Sequence, residues 1–439
     1  MSIIPITAWA RDHHTELALF TLAAGIRLAY AVFIQVHFGE QAFAAYGDAF
    51  SFYLRGADNL VHHGVISLNE FAPFTPTAYR TPLYILFIAI FRALHWPLLV
   101  PIILQNLMAG AISVFIYRLG RHIFSARVGW WAAVLTALEP MSIYWNNLLM
   151  SDYLYAFLFL MALCLFFQRR YYWFAIMFGL ATLTRPVGVY LFPVFLLALG
   201  LTLRRAKAER LWRTVAITTV IFLAVLFPWA LRNKILFNTW QLSSASWYNL
   251  YKVVTADFVH GQGQELPLPS VPPDYPYPPA FEEDFISVPF YQAHWWQIVA
   301  KQPTAYAVFY VRRGVELLFK NQYHYLIHYV IQVKMPELLV AVGPIAISIL
   351  LYSSELFFIV VYVLAALSLR DEKRWPATAL FLILFFINHF TLGLLVDTGA
   401  DGSRYRLPFL PLLFLCALWS LQRARKTITA WGSAARDVQ

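Results

Sequence analysis

Two aspartates and a handful of arginines are the side chains of this chain best suited to chemistry. Asp48 stands near the head of GDAFSFYLRG, and Asp152 lies in NNLLMSDYLYAF. Arg80 sits in AYRTPLY, Arg185 in GLATLTRPVGVYLFP, Arg232 and Asn233 in FPWALRNKILFN, and Arg404 and Arg406 in DGSRYRLPFLP. A guanidinium fork makes paired, charge-assisted bonds to a phosphate. A carboxylate beside that phosphate suits a general base that takes a proton from an attacking hydroxyl. Each residue also has a plainer reading. Asp48 suits the cap of a following helix, and Asp152 a structural ion pair. Arg185 suits the carbonyls at a helix end, and Arg232 a snorkelling position. What favours a site is that separate loops bring these groups to one face of a bilayer, where ionisable residues are costly.

The elements that carry them are membrane helices. The chain is 60% hydrophobic and 18% aromatic, and only 13% of it is charged, against about 25% in a soluble domain. Apolar windows of spanning character fall near Glu16–Val36, Leu98–Tyr117, Val128–Tyr144, Leu149–Gln168, Tyr171–Thr184, Val187–Leu203, Thr214–Leu231, Leu339–Leu369, Pro376–Val396 and Leu407–Leu421. Pro82–Leu94 is short for a span. The first window has no small-residue cleavage site after it and reads as a retained helix. The expected fold is an all-α polytopic bundle of about 10 to 11 transmembrane helices with exoplasmic juxtamembrane helices. Residues 1–235 form a transmembrane catalytic module that includes a first exoplasmic loop, 37–81; 236–335 form an exoplasmic loop with interfacial helices near Phe281–Lys301 and Pro303–Asn321; 336–439 hold the last spans and a short basic tail.

The net charge of +10 resides in short loops: Arg118, Arg121 and Arg127; Arg204, Arg205, Lys207, Arg210 and Arg213; Arg370, Lys373 and Arg374; Arg423, Arg425 and Lys426. That is the positive-inside pattern, and it puts Asp48, Arg80, Asp152, Arg185, Arg232 and Arg404 on the exoplasmic side of a cell membrane, most simply a bacterial inner membrane. It gives nucleic acid no role. Cys164 and Cys416 both lie in apolar windows and read as packing residues. His62, His63, His324 and His328 form no ligand pattern, so no metal site is assigned and a divalent cofactor stays open. PLPSVPPDYPYPP, Pro267–Pro279, reads as extended.

The ordered motifs resemble one family. They are Asp48 with Phe52 and Tyr53, RTPLY from Arg80 to Tyr84, the run from Pro140 to Ser151 and Asp152, GLATLTRP from Gly179, PWALRN from Pro228, and SRYRLPFLP from Ser403. Together they are similar to the membrane glycosyltransferases of the GT-C superfamily, within it to the dolichyl-phosphate-mannose protein mannosyltransferases and the lipid A aminoarabinose transferases. The resemblance implies transfer of one sugar from a polyprenyl-phosphate donor to a lipid, glycan or protein acceptor on the exoplasmic face. It also implies roles: Asp48 as base with Asp152 beside it, Arg80, Arg185, Arg232 and Arg404 on the donor phosphate, and Tyr53, Tyr84, Asn233, Tyr405 and Arg406 as substrate-binding residues. Membrane lipids surround the chain. The rival readings are a polysaccharide polymerase or ligase and a lipid-linked glycan flippase.

Overall fold

A computed structural model describes residues 13–205, 211–270, 284–319, 343–391 and 404–434. Among them every regular element is helical. In chain order these are α1 (His14–Phe38), α2 (Arg55–His63), α3 (Pro82–Ala93), α4 (Leu99–Ile123), α5 (Ala126–Leu138), α6 (Pro140–Asn146), α7 (Ser151–Phe167), α8 (Tyr171–Thr184) and α9 (Gly188–Arg205). There follow α10 (Leu211–Phe237), α11 (Ala245–Asn249), α12 (Ala256–His260), α13 (Val288–Lys301), α14 (Pro303–Phe319), α15 (Pro344–Leu367), α16 (Trp375–Thr391) and α17 (Leu410–Ala434). Asp397–Ser403, most of Pro267–Pro279, and His324 and His328 lie outside the described residues.

Among the described residues four helices are long and apolar enough to cross a membrane: α1, α4, α10 and the helix around α15. A fifth counts if α6 and α7, bent by 112°, form one broken span. That is fewer than the sequence suggests, because α5, α8, α9 and α16 are apolar but shorter. Their ends show why. The window Val128–Tyr144 is broken at Glu139–Pro140, where the Glu139 carboxylate accepts from Met141 N at 3.2 Å and Ser142 N at 2.5 Å and so starts a new helix. The carbonyls left at the end of α5 are taken by Arg27 of α1, a buried guanidinium that donates to Ala137 O at 2.8 Å, Thr136 O at 3.2 Å and Ser142 Oγ at 2.9 Å. α8 stops at Arg185 because Pro186 holds the preceding residue extended, with φ −144° and ψ 123°.

The bundle has two chemically different ends. At one, Glu16 of α1 pairs with Arg118 of α4, and Asp371, after α15, receives Trp419 Nε1 of α17 at 2.9 Å. The other end holds Asp48, Arg80, Asp152, Arg185 and Arg404. α3 does not cross between them. It starts beside Arg80, its Arg92 pairs with Asp58 of α2 at 2.5 Å, and the Leu98 N–H just beyond it reaches Glu40, which follows α1, at 3.2 Å. Both of its ends are therefore fastened on the Asp48 side.

Packing holds the ends in register. α4 and α5 approach so closely that a Cβ added at Gly120 would sit 2.4 Å from the Gly129 Cα, closer than side-chain atoms ever come. Buried aromatics fill the centre, with Phe159, Phe174, Phe178 and Phe195 stacked between α7, α8 and α9. Val32, Ile90, Leu197, Val220 and Ile349 are exposed on the outer faces, the side a bilayer would cover. α13 and α14 lie within 284–319, with Phe258, Val259 and Tyr306 forming a small core of their own beside Trp295.

Candidate active site

Five charged side chains alternate in sign across the Asp48 end. Asp48 lies just ahead of a short π-helical turn, Ala49–Leu54, that leads into α2. Its carboxylate makes no cap bond to that turn; instead its Oδ2 lies 3.0 Å from Arg80 Nη2 and 3.0 Å from Arg404 Nη2. Its reading as a helix cap is therefore overturned, because two guanidiniums compete successfully for the oxygen. Arg404 continues to the second acid, with Nε 3.8 Å from Asp152 Oδ2. Asp152 Oδ1 in turn lies 3.0 Å from Arg185 Nη1. Arg185 thus serves a carboxylate in place of the free carbonyls of its own helix.

Each member is positioned by a helix end. Arg80 precedes the Pro82 start of α3, Asp152 sits in the first turn of α7, Arg185 ends α8, and Arg404 opens the 3₁₀ turn Arg404–Arg406 before α17. Thr81 Oγ1 ties two of these ends together by donating to Thr184 O at 2.8 Å. Ser151 Oγ shares a hydrogen bond of 2.8 Å with Tyr53 and accepts from Arg185 Nε at 3.3 Å. Aromatic faces line the guanidiniums. Arg80 lies 4.8 Å from both the Phe52 and Tyr79 ring centres, Arg185 lies 4.7 Å from Tyr405, and Arg404 lies 4.9 Å from Tyr405 and 5.3 Å from Tyr46.

The electrostatics are unusual for so dry a place. Asp152 and Arg404 side chains are 0% and 1% exposed, whereas Asp48 and Arg80 are each 18% exposed. Burial by itself would raise the Asp48 carboxyl, but Arg80 and Arg404 outweigh it and hold the group below its usual range. Three guanidiniums against two carboxylates leave one positive charge in excess. Among the described residues, Arg404 Nη1 and Arg80 Nε have no hydrogen-bond acceptor, although a buried N–H without a partner is costly. An anion placed here would meet that need.

A cavity of about 50 Å³ adjoins the cluster, lined by Arg80, Arg185, Tyr53 and Tyr405 together with Ser246 and Asn249 of α11. Ser246 and Asn249 were not singled out from sequence, since uncharged residues in a polar loop give no signal of depth. Ser243 Oγ fixes their segment by donating to Tyr79 O at 2.5 Å.

The remaining candidates stand apart from this cavity. Tyr84 is fully buried behind Tyr53, its hydroxyl donating to Gln105 at 2.5 Å. Asn233 is buried and donates to Gln241 O at 2.9 Å. Arg232 donates to Asn233 Oδ1 at 2.9 Å and stacks 4.5 Å from Trp229. It also opposes the effect of burial on Asp284, whose carboxyl is pushed up to about 6. Arg406 donates to Leu318 O at 2.9 Å, to Leu317 O, and to the Tyr362 hydroxyl at 2.8 Å, which anchors the end of α14. Among the described residues no three His, Cys, Asp or Glu side chains converge as metal ligands.

The fold and this cluster define a multi-pass membrane protein with a charged site at one end of a helical bundle. Residues 79–231 match the family of dolichyl-phosphate-mannose-protein mannosyltransferases. Over this stretch, about a third of the chain, the protein is similar to that glycosyltransferase family, the one its motifs resemble. The matched stretch contains Arg80, Asp152 and Arg185, while Asp48 and Arg404 lie outside it and join the cluster through space. No curated protein matches the chain.

Proposed function

We propose that the protein transfers one sugar from a polyprenyl-phosphate donor to an acceptor hydroxyl on the exoplasmic face of the membrane, with the Arg80–Asp48–Arg404–Asp152–Arg185 chain as the reaction centre. The observation that carries this is the excess guanidinium beside a cavity. A donor phosphate would complete the charge balance that two carboxylates leave short. About 50 Å³ suits a phosphoryl group, well below the roughly 300 Å³ of a small-molecule pocket. The sugar would extend through the mouth toward Ser246 and Asn249.

In this reading the phosphate competes with Asp48 for Arg80 and Arg404. Losing those partners raises the basicity of the carboxylate at the moment it is needed. Asp48 then takes the acceptor proton as the acceptor oxygen bonds to the anomeric carbon. The bond from that carbon to the phosphate oxygen breaks, and its electron pair stays on the phosphate, where the guanidiniums offset the new charge. Asp152, enclosed between Arg185 and Arg404, holds both forks in place. The positive-inside pattern supports the exoplasmic assignment, since the charged cluster lies at the end away from Arg118, Arg374 and Arg423.

The test is radiolabelled sugar transfer from a panel of polyprenyl-phosphate sugars by protein in nanodiscs. Transfer or slow donor hydrolysis that depends on the arginine cluster supports the reading. Absence of both donor binding and turnover across the panel would contradict it.

A further inference from the structure

A second feature lies far from the charged cluster. Between α9 and α16 a groove of about 440 Å³ opens at the other end of the bundle. Phe167, which closes α7, forms part of its floor, and Asp152 opens the same helix. At ~1.5 Å of rise per residue, the groove lies roughly 22 Å along the bundle from the cluster. This groove faces outward and is lined by Leu197 and Leu201 of α9 and Ile383 of α16, together with His122, Lys373 and Arg374.

Charge distinguishes this groove from its neighbour. A largely apolar hollow of about 600 Å³ also borders α16, sharing Trp375, Ala379 and Ile383, and its lining carries no charged side chain among the described residues. A hollow of that kind suits any acyl chain. The first groove instead joins an apolar trough to two permanent cations. Two acids share the loop: Asp371 already accepts from Trp419 Nε1 at 2.9 Å and Lys373 N at 3.0 Å and lies 3.8 Å from Arg423, while Glu372 stands outside the groove's lining and among the described residues pairs with neither cation.

We propose that this groove binds an anionic glycerophospholipid of the cytoplasmic leaflet, its phosphate between Lys373 and Arg374 and one acyl chain along Leu197, Leu201 and Ile383. Basic pockets between helices on the positive-inside face attract such headgroups, and two basic residues near the surface give a preference of roughly thirtyfold over a zwitterionic lipid. The lipid would wedge α9 against α16. The far end of α16 carries Asn388, which donates to Tyr405 O at 2.8 Å beside the charged cluster.

The experiment is native mass spectrometry of the full-length protein released from nanodiscs that contain equal phosphatidylglycerol and phosphatidylcholine. The expected result is one retained phosphatidylglycerol, favoured roughly thirtyfold, and near parity for the double variant Lys373→Gln/Arg374→Gln. Leu201→Trp, which fills the trough and leaves both charges in place, should also displace the lipid. Equal retention of the two lipids by the wild type would overturn the proposal, as would unchanged retention by both variants. Replacement of phosphatidylglycerol by added polyprenyl phosphate would overturn it too, by giving the groove to the donor's carrier. None of these outcomes depends on the transferase reaction.

Discussion

Arg404 Nη2 lies 3.0 Å from Asp48 Oδ2, a contact between residues 356 positions apart. The same guanidinium approaches Asp152 at 3.8 Å and is 1% exposed, so one side chain joins the two carboxylates of the site. The C-terminal helices thereby complete a centre whose other members lie in the first half of the chain.

Arg404 and Arg406 should consequently behave as opposites. Arg404→Lys keeps the charge and loses the fork, so turnover should fall about 100-fold or more. Arg406 binds the carbonyls of Leu317 and Leu318 and the Tyr362 hydroxyl. Arg406→Lys should lower the melting temperature and leave kcat within a few-fold. Parallel kinetics and thermal melts check this. Equal loss of kcat in both variants would count against the division.

The ionisation of Asp48 sets the pH behaviour. Burial works to raise its carboxyl, and Arg80 and Arg404 together hold it below the usual range. The basic form should therefore survive acidification through the ordinary carboxylate region near pH ~4, so that kcat/KM stays level there and falls only at lower pH. Arg80→Gln should move that acid limb upward. The stability that Asp48 contributes follows the same sign. It is present above the unfolded carboxyl's range and is lost as pH falls through the depressed native value. A limb unmoved by Arg80→Gln would mean that Asp48 is not the titrating group.

Ser246 and Asn249 line the same cavity as Arg80 and Arg185. If they hold sugar hydroxyls in the bound donor, Ser246→Ala and Asn249→Ala should each raise the donor KM about fivefold, the worth of one hydrogen bond, and change kcat little. A fall in kcat with KM unchanged would assign them to the transition state instead.

Arg27 tests the structural side of the account. It closes the end of α5 through Thr136 O and Ala137 O and belongs to no ion pair among the described residues. Arg27→Met leaves those buried carbonyls without a donor and should destabilise the protein by about 3 kcal/mol. Thermal melts measure this, and the surviving folded fraction should show an unchanged donor KM.

How much of this was legible in the sequence depended on cost. An arginine or aspartate at bilayer depth is expensive enough that its type alone marks it, and Asp48, Arg80, Asp152, Arg185 and Arg404 stood out for that reason. The partners did not show, because pairing is a tertiary fact. Arg27 on carbonyls, Arg406 on α14 and Arg404 on two acids look alike in a string. Helix lengths were misjudged where a capping acid and a proline cut an apolar run, as at Glu139–Pro140. Ser246 and Asn249 gave no signal, since small polar residues cost little in a loop.

The most direct test of the central claim compares wild type with Asp48→Asn for transfer or slow hydrolysis of a polyprenyl-phosphate sugar, with donor binding measured in parallel. The account predicts donor binding retained in the variant and turnover reduced by about 100-fold or more. Equal turnover in the two proteins would contradict it and remove Asp48 from the chemistry.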